Sequence, residues 1–486
     1  MVRRVFPILH VLGMVVLVFG LSMLAPLLLS KLTNDGAEQA YDVSALITMG
    51  AGLALWLIGH SWHRELKMRD GILLVVLIWS LLPAFAALPL VFYMPGLSLA
   101  DAYFEAMSGL TATGATVLSG LDDLPNSINL WRAQLHWIGG LGIIVLVAAV
   151  LPLLGVGGRQ MFKAEMPTPM KDQKLTPRMA ETAKGLWVVY VILTAVCIGV
   201  LWALGMSFFD AVVHAFSIMG LGGFSSHDAS LGYFNSLALE IAVAVFALLA
   251  GINFATHFAV LRGRSLSVYR RDPEIRWFLG TVLTSGVVLA LLLWQRDVFL
   301  DFPDALRYAV FNTISVATTL GFATTDYGHW PFFAGLWLLF LCSFSTSAGS
   351  TGGGIKMMRA VLLYKQVHRE LRKLIHPNAQ IPLRLGDEIV PNKIVYSVLA
   401  FIFIYVASIV SLSFVLSFTG LDVLTAFSAV VACINNTGPG LGQVGPATTY
   451  AVLSDFQVSV CAFAMLLGRL ELFTLLVVLT PAFWRR

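Results

Sequence analysis

The chain has 486 residues, of which 58% are hydrophobic and only 12% are charged, and its formal net charge is +4. With a mean hydropathy of +0.83 this composition lies far outside soluble globular usage and excludes a soluble domain. The sequence therefore predicts an all-α polytopic membrane protein.

Two apolar runs, residues 5–29 and 41–59, open the chain and predict a helical hairpin. The first run is long, and no small-residue cleavage site precedes the next polar stretch, which favours a spanning helix over a signal peptide. Because no half-helix separates the two runs, residues 1–69 are set apart as an accessory two-helix hairpin.

Four glycine-centred turns then recur between apolar runs, at Gly114, Gly223, Gly321 and Gly438. Their spacing of about one hundred residues is typical of an internally repeated membrane architecture. The predicted divisions are pore repeats at residues 70–156, 185–263, 264–376 and 377–486, with a cytoplasmic connection at 157–184.

An aspartate precedes each turn by roughly 13 to 17 residues, at Asp101, Asp210, Asp304 and Asp422, where it suits a helix N-cap. The segment between aspartate and glycine is too short to cross a bilayer, so it predicts a half-helix whose carbonyl end attracts cations. Each repeat then reads helix, half-helix, filter turn, helix. Two full spans per repeat make the repeats parallel and pseudo-fourfold around one central pore.

Repeat three carries an interruption that we call the inner loop, residues 343–354, in which glycine and small hydroxyl residues break an apolar span. Such a run cannot stay a lipid-facing helix, so we expect it inside the protein against the pore. A simple helix break, or tight helix packing by small residues, is the alternative. The residues at its centre are Gly349, Ser350, Thr351, Gly352, Gly353 and Gly354.

Most of the 31 Lys and Arg residues fall on one predicted side of the membrane. The positive-inside rule therefore places both termini in the cytoplasm. His136, His214 and His257 lie in apolar segments without partners at metal spacing and are interpreted as packing residues. Four tryptophans near predicted span ends are interpreted as interfacial anchors. They are Trp131, Trp137, Trp330 and Trp337.

Six motifs in order resemble the TrkH/KtrB/HKT superfamily of potassium transporters. They are the stretches at 111–116, 222–228, 318–324, 348–356, 436–442 and 468–471. The resemblance covers essentially the whole chain, and the two additional N-terminal spans make it similar to the bacterial TrkH branch.

The resemblance implies a potassium uptake subunit of the bacterial inner membrane, a homodimer gated by a cytoplasmic TrkA-type ring that binds the nucleotide. This chain is expected to carry no cofactor and no enzymatic activity, and to bind K⁺ only as the transported ion, through backbone carbonyls. The inner loop takes the role of gate, and Arg469 that of a positive barrier below the filter. The filter roles fall on Thr113, Gly114, Gly222, Gly223, Leu320, Gly321, Thr437 and Gly438.

Two positions depart from the family pattern, Met219 and Leu320, and they leave the degree of K⁺ over Na⁺ selectivity open. Two other function classes also stay open. An intramembrane enzyme needs carboxylate or metal-ligand clusters in its spans, where Glu240 and Glu471 stand almost alone. A secondary transporter with broken helices is disfavoured by the parallel repeats, and the residues do not decide whether flux is channel-like or coupled to H⁺ or Na⁺.

Overall fold

The computed structural model describes residues 2–60, 67–149, 179–386 and 388–485. Within these ranges the protein is almost entirely helical, which confirms the all-α class. Six of the described helices are long and apolar enough to cross a membrane, or up to eight spans if two sharply bent pairs each count as one. The connection predicted at 157–184 lies largely outside the described residues.

The N-terminal hairpin consists of α1 (Val2–Ser22), α2 (Leu24–Thr33) and α3 (Glu38–His60). The run predicted as one helix is divided at Met23. Helices α1 and α3 approach closely because small residues face each other: a Cβ added at Gly13 or Gly52 would meet the backbone of the other helix within 3.0 Å.

The four repeats follow in chain order. Repeat one contains α4 (Met68–Ala86), α5 (Leu88–Tyr93), α6 (Leu99–Leu110) and α7 (Asn126–Ala149). Repeat two contains α8 (Met179–Ala203), α9 (Phe208–Gly220), α10 (Leu237–Ala250) and α11 (Phe254–Gly263). Repeat three contains α12 (Ser267–Arg271), α13 (Pro273–Gln295), α14 (Phe302–Ala317), α15 (Phe332–Cys342) and α16 (Met357–Ile375).

A two-residue antiparallel strand pair that the sequence did not predict, β1 (Arg384–Leu385) and β2 (Glu388–Ile389), leads into repeat four. That repeat contains α17 (Asn392–Phe418), α18 (Val423–Ile434), α19 (Asp455–Arg469), α20 (Phe473–Leu479) and α21 (Pro481–Trp484). Short 3₁₀ turns occupy Ser230–Phe234, Tyr327–His329, Gly442–Val444 and Tyr450–Val452.

Helices α6, α9, α14 and α18 are the half-helices, with 12, 13, 16 and 12 residues. At 1.5 Å per residue a 12-residue helix covers about 18 Å, well short of a hydrocarbon core of about 30 Å. Most side chains in their second halves are buried, so these helices form the centre of the protein and the long helices surround them.

The predicted N-cap is correct only in repeat four, where Asp422 accepts a hydrogen bond from the Thr425 N–H at 3.0 Å. In repeats one and two the caps are Ser98 and Ser207, which accept from the N–H of Asp101 and Asp210. A serine three positions earlier provides the hydroxyl that a cap requires, and the aspartate is left in the first turn, where its charge suits the helix dipole.

In repeat three Asp301 occupies the cap position, and Asp304 lies in the first turn of α14. The predicted cap is therefore wrong for Asp101, Asp210 and Asp304. The predicted half-helices begin close to the expected positions all the same, because a first-turn carboxylate marks the same end of a helix as a cap does.

Two of the second helices that the sequence predicts as full spans are sharply bent. Repeat two bends by 92° between α10 and α11, and repeat four bends by 114° between α19 and α20. The second bend follows from two consecutive residues with positive φ, Glu471 at 52° and Leu472 at 50°. In repeat three the inner loop interrupts the helix that follows the filter turn. Among the helices that follow the four turns, only α7 of repeat one is therefore unbroken over its described length.

The interpretation of the tryptophans as interfacial anchors fails for Trp131 and Trp330, which are buried within the protein. The Trp131 indole donates a hydrogen bond to the Ala86 carbonyl at 3.0 Å and thereby connects α7 to the end of α4. A tryptophan near a span end can satisfy its N–H in the protein as well as in the headgroup layer, and the sequence does not distinguish the two cases.

Candidate ion pathway

The four glycine turns share one backbone conformation. In each, a residue with left-handed φ stands two positions before a glycine that is also left-handed. The first residues are Ala112, Leu221, Thr319 and Asn436, with φ of 51°, 54°, 63° and 53°. The glycines Gly114, Gly223, Gly321 and Gly438 have φ of 82°, 79°, 82° and 91°. Side chains resist this region, so the repeated pattern explains why glycine occupies the second position.

The residue between each such pair closes the half-helix with the same hydrogen bond. Its N–H donates to a carbonyl five residues earlier, over 2.8–2.9 Å. The four bonds are Thr113 to Ser108, Gly222 to Ser217, Leu320 to Ser315 and Thr437 to Ala432. The turn is therefore held to the end of the helix that precedes it.

The turns meet in a closed ring. A Cβ added to any of the four glycines would collide with a carbonyl oxygen of the next turn. The four pairs are Gly114 with Gly222, Gly223 with Leu320, Gly321 with Thr437, and Gly438 with Thr113. We call these four carbonyls and four glycines the filter ring. The structure thus brings all eight predicted filter residues together, and the four glycines line one cavity of about 220 Å³.

Leu320 takes its place in the ring through its backbone, while its side chain is fully buried in the core of repeats two and three. Met219 is likewise buried, and its carbonyl accepts a hydrogen bond from the Thr351 hydroxyl at 3.0 Å. Neither departure from the family pattern removes a backbone carbonyl from the ring.

A support position behind each turn was missed from the sequence. It lies nine residues before the filter glycine and is occupied by Glu105, His214, Asn312 and Ala429. Glu105 accepts from the Val117 N–H at 3.0 Å, the His214 ring pairs with the Ser225 hydroxyl at 3.0 Å, and the Asn312 amide donates to Thr324 at 2.9 Å. The constant spacing from the glycines is the signal that could have identified these residues.

In repeat four Ala429 cannot serve, and the neighbouring Ser428 hydroxyl accepts from the Leu441 N–H at 2.9 Å instead. In every repeat, a side chain of the half-helix therefore holds the extended segment that follows the filter glycine. We call this segment the filter strand. This support keeps the filter ring in place from behind.

The inner loop lies directly against the ends of the half-helices. Thr351 bonds to Met219 at the end of α9, and the Gly353 N–H donates to the Thr319 hydroxyl at 3.1 Å after α14. A Cβ on Gly353 would collide with the Asn435 carbonyl at the end of α18. Residues 349–354 therefore lie inside the protein as predicted, against the ends of the half-helices.

One carboxylate connects the inner loop to the start of the helix that follows it. Glu274, buried in the first turn of α13, accepts from the N–H of Ala348 at 2.9 Å and from that of Met358 at 3.1 Å. The loop also bonds to the bend of repeat two, where the Ser347 N–H donates to Gly251 at 3.0 Å. Nothing in the sequence singled out Glu274, because a carboxylate in a first helical turn is ordinary.

Arg469 lies beneath the filter and contacts the inner loop. Its guanidinium is buried and donates from Nη1 to the Thr351 carbonyl at 3.0 Å. Among the described residues no carboxylate forms a salt bridge with it, whereas Glu471 pairs with Arg359 at 2.7 Å. Helix α19 ends at Arg469, and a bend of 114° separates it from α20.

Acidic groups of repeats one and two lie close to the ring, near the start of α9. His227 and Asp228 line the cavity above the glycines, and the His227 ring contacts Asp122 at 2.5 Å and Asp210 at 3.3 Å. Burial alone would raise the pKa of the Asp122 carboxyl, but the hydrogen bonds from His227 and the Asp228 N–H outweigh it and lower that pKa. Asp122 is therefore ionised at neutral pH and contributes negative charge on this side of the ring.

The described part of the chain contains no cluster of three or more His, Cys, Asp or Glu residues that could hold a metal ion. The three histidines interpreted as packing residues have protein partners. His136 contacts the Ser217 hydroxyl at 3.3 Å, His214 pairs with Ser225, and His257 contacts the Tyr269 hydroxyl at 2.7 Å.

Comparison with known proteins finds relatives along nearly the whole chain. The profile of the TrkH family, described as cation transport protein, matches residues 39–485. The Trk system potassium uptake protein TrkH of Salmonella typhimurium is 45% identical over 477 residues, which cover 98% of each chain. The Escherichia coli protein TrkG of the same system is 37% identical over 98% of each chain.

A solved structure is similar over the same extent. The crystal structure of the potassium transporter TrkH from Vibrio parahaemolyticus matches with a TM-score of 0.91 and 42% identity, covering 99% of this chain and 100% of that one.

Proposed function

Because the chain belongs to the TrkH family of cation transport proteins, we propose that it takes up K⁺ across the bacterial inner membrane through the filter ring. The observation that carries this proposal is the closed alternation of four carbonyls and four left-handed glycines, one pair from each repeat. Four backbone carbonyls around one axis can replace the hydration shell of a monovalent cation.

The half-helices strengthen the ring electrostatically. Each ends at the ring with its carbonyls, the negative end of the helix dipole, and so favours a cation there. The acidic entrance around Asp122 and Asp228 raises the local cation concentration before entry. No side chain charge is needed at the ring itself, which suits a site that must release its ion quickly.

The inner loop is proposed as the gate below the ring, with Arg469 as a barrier of positive charge beside it. The loop touches the ends of three half-helices, and Arg469 donates to its Thr351 carbonyl, so both must move or rearrange for an ion to pass. Gly349 and Gly354 have positive φ, which permits backbone changes that other residues resist.

We further propose that the chain works as a homodimer under a cytoplasmic TrkA-type nucleotide-binding ring. Helix α16 continues from the inner loop and carries Arg372 and Lys373 in its last turn. Under the positive-inside rule these basic residues support a cytoplasmic position for this end. Large apolar side chains on the same helix, Leu371 and Leu374 among them, are mostly exposed. A partner bound there would have a short covalent connection to the loop.

The experiment is K⁺ or Rb⁺ uptake by proteoliposomes containing the purified chain, with protein-free vesicles and Gly321→Val as controls. The valine side chain would collide with the Thr437 carbonyl, so this variant should lose uptake. Uptake by wild type that the variant lacks supports the proposal, and wild-type vesicles no faster than empty ones contradict it. Reversal potentials under H⁺ or Na⁺ gradients then separate channel-like from coupled flux.

A further inference from the structure

The support position of repeat one holds a buried ion pair, Glu105 with Arg132 of α7, whose Nε and Oε1 atoms are 2.9 Å apart. Each side chain is only 1% exposed. Desolvation offsets much of the attraction between buried charges, so such a pair is a weak device for stability alone. The atoms that the pair contacts suggest another use.

Glu105 holds the chain just after the first filter glycine. Its carboxylate oxygens accept from the Thr116 hydroxyl at 2.9 and 3.0 Å, and from the Val117 N–H at 3.0 Å. Thr116 stands two residues beyond Gly114. Any outward movement of this strand would have to break hydrogen bonds to a charged acceptor, which are stronger than neutral ones.

Arg132 extends the same connection to repeat two. Its Nη1 donates to the Ser225 carbonyl at 3.1 Å, its Nη2 to the Thr116 hydroxyl at 3.3 Å, and its guanidinium lies 4.2 Å from the centre of the Phe224 ring. Phe224 and Ser225 directly follow the filter glycine of repeat two. Arg132 thus connects the segment after Gly114 in repeat one to the segment after Gly223 in repeat two.

The other repeats use uncharged supports that stay local. His214 bonds to the Asp210 carbonyl and Ser225, and Asn312 to the Tyr308 carbonyl and Thr324. Among the hydrogen bonds of the described residues, only the support of repeat one reaches a neighbouring repeat. Repeats one and two are therefore joined beside the ring by a charged connection. Neutral backbone hydrogen bonds join other neighbouring repeats there: the Gly232 N–H donates to the Ala323 carbonyl at 3.1 Å, and the Tyr450 N–H donates to the Thr116 carbonyl at 2.8 Å.

We propose that Glu105 and Arg132 are specificity-determining positioning residues, which fix the distance between the Thr113 and Gly222 carbonyls and so exclude Na⁺. Neither side chain is proposed to touch the ion. A ring that can contract coordinates the smaller ion, whereas one held open favours K⁺. This inference rests on the proposed K⁺ conduction.

The test compares Glu105→Gln and Thr116→Val with the control Glu240→Gln. Glu240 pairs with Arg307 at 2.7 Å and is also buried, but it supports no filter strand. The readout is the Na⁺ to K⁺ permeability ratio from reversal potentials of full-length protein in bilayers. We expect this ratio to rise roughly fivefold in both test variants. The control should keep the wild-type ratio.

Wild-type K⁺ conduction is measured first, because its absence would defeat the proposed function rather than the support. If wild type conducts while both test variants elute as intact protein with an unchanged ratio, the positioning role is wrong. A shift of equal size in Glu240→Gln also overturns it, since general loosening would then suffice. Should Glu105→Gln fail to fold, Thr116→Val decides, because it removes the hydroxyl contacts of Thr116 with Glu105 and Arg132 and leaves the ion pair.

Discussion

The two halves of the proposed ion pathway, the filter ring and the region below it, differ in symmetry. At the filter ring the four repeats share the same dihedral pattern, the same closing hydrogen bond and the same neighbour relation. Below the ring the second helices diverge into one unbroken helix, two bends of 92° and 114°, and one inserted loop. A coordination ring needs a contribution from every repeat, whereas one loop and one arginine are enough to obstruct a single pore.

The largest effect should come from removing the asymmetric element, residues 347–352 of the inner loop. The deletion removes the contacts of Thr351 with Met219 and Arg469 and that of Ala348 with Glu274. We expect partner-free K⁺ flux in proteoliposomes to rise at least about tenfold, equivalent to about 1.4 kcal/mol. The same deletion combined with Gly321→Val should conduct nothing, which shows that the leak passes through the ring.

An intact, dimeric deletion protein that conducts no faster than wild type would contradict the gating role. Packing by small residues would then be the better account of the loop.

A change in the symmetric half should alter selectivity rather than gating. Gly114 has a φ of 82°, and the Cβ that Gly114→Ser adds would collide with the Gly222 carbonyl. We therefore expect the K⁺ to Na⁺ permeability ratio of this variant to fall about tenfold. Gly36→Ser is the matched control, since Gly36 has a φ of 83° with nothing within 4 Å of the added Cβ. Equal ratios in the two variants would show that the ring contact is irrelevant to discrimination.

Arg469→Gln tests the charge beneath the ring. Glutamine retains an N–H donor for the Thr351 carbonyl but removes the positive charge, so single-channel K⁺ conductance should rise about threefold. Arg469→Lys keeps the charge and should stay near wild type. A misfolded or non-dimeric Gln variant would instead indicate that the arginine is structural.

The smallest effect is expected for Glu274→Ala, which removes the contacts that connect the inner loop to the start of α16 without removing the loop itself. Loss of the two contacts should increase partner-free flux about twofold, or about 0.4 kcal/mol. Glu370→Ala serves as control, because the Glu370 side chain is exposed on α16 and pairs with Lys373 at 3.3 Å. Identical flux in the two variants would remove Glu274 from the gating scheme.

Much of the symmetric half could be predicted from the sequence. Left-handed backbone at Gly114, Gly223, Gly321 and Gly438 is a local requirement, and the period of the glycines shows in any one chain. The short half-helices follow from apolar runs that are too short to span. The supports Glu105, His214 and Asn312 recur with the same spacing. They were not recognised from the sequence because their side chains are chemically different.

The sequence by itself determined a membrane protein of four repeats with glycine at the turns, because hydropathy and backbone freedom are properties of neighbouring residues. Only the tertiary structure decided which helices break, that Arg469 ends one of them, and that Glu274 connects the inner loop to the start of α16. It also paired Glu105 with Arg132 and buried Trp131. These outcomes join groups 27 to 118 residues apart, and such pairings depend on how the helices pack around the pore.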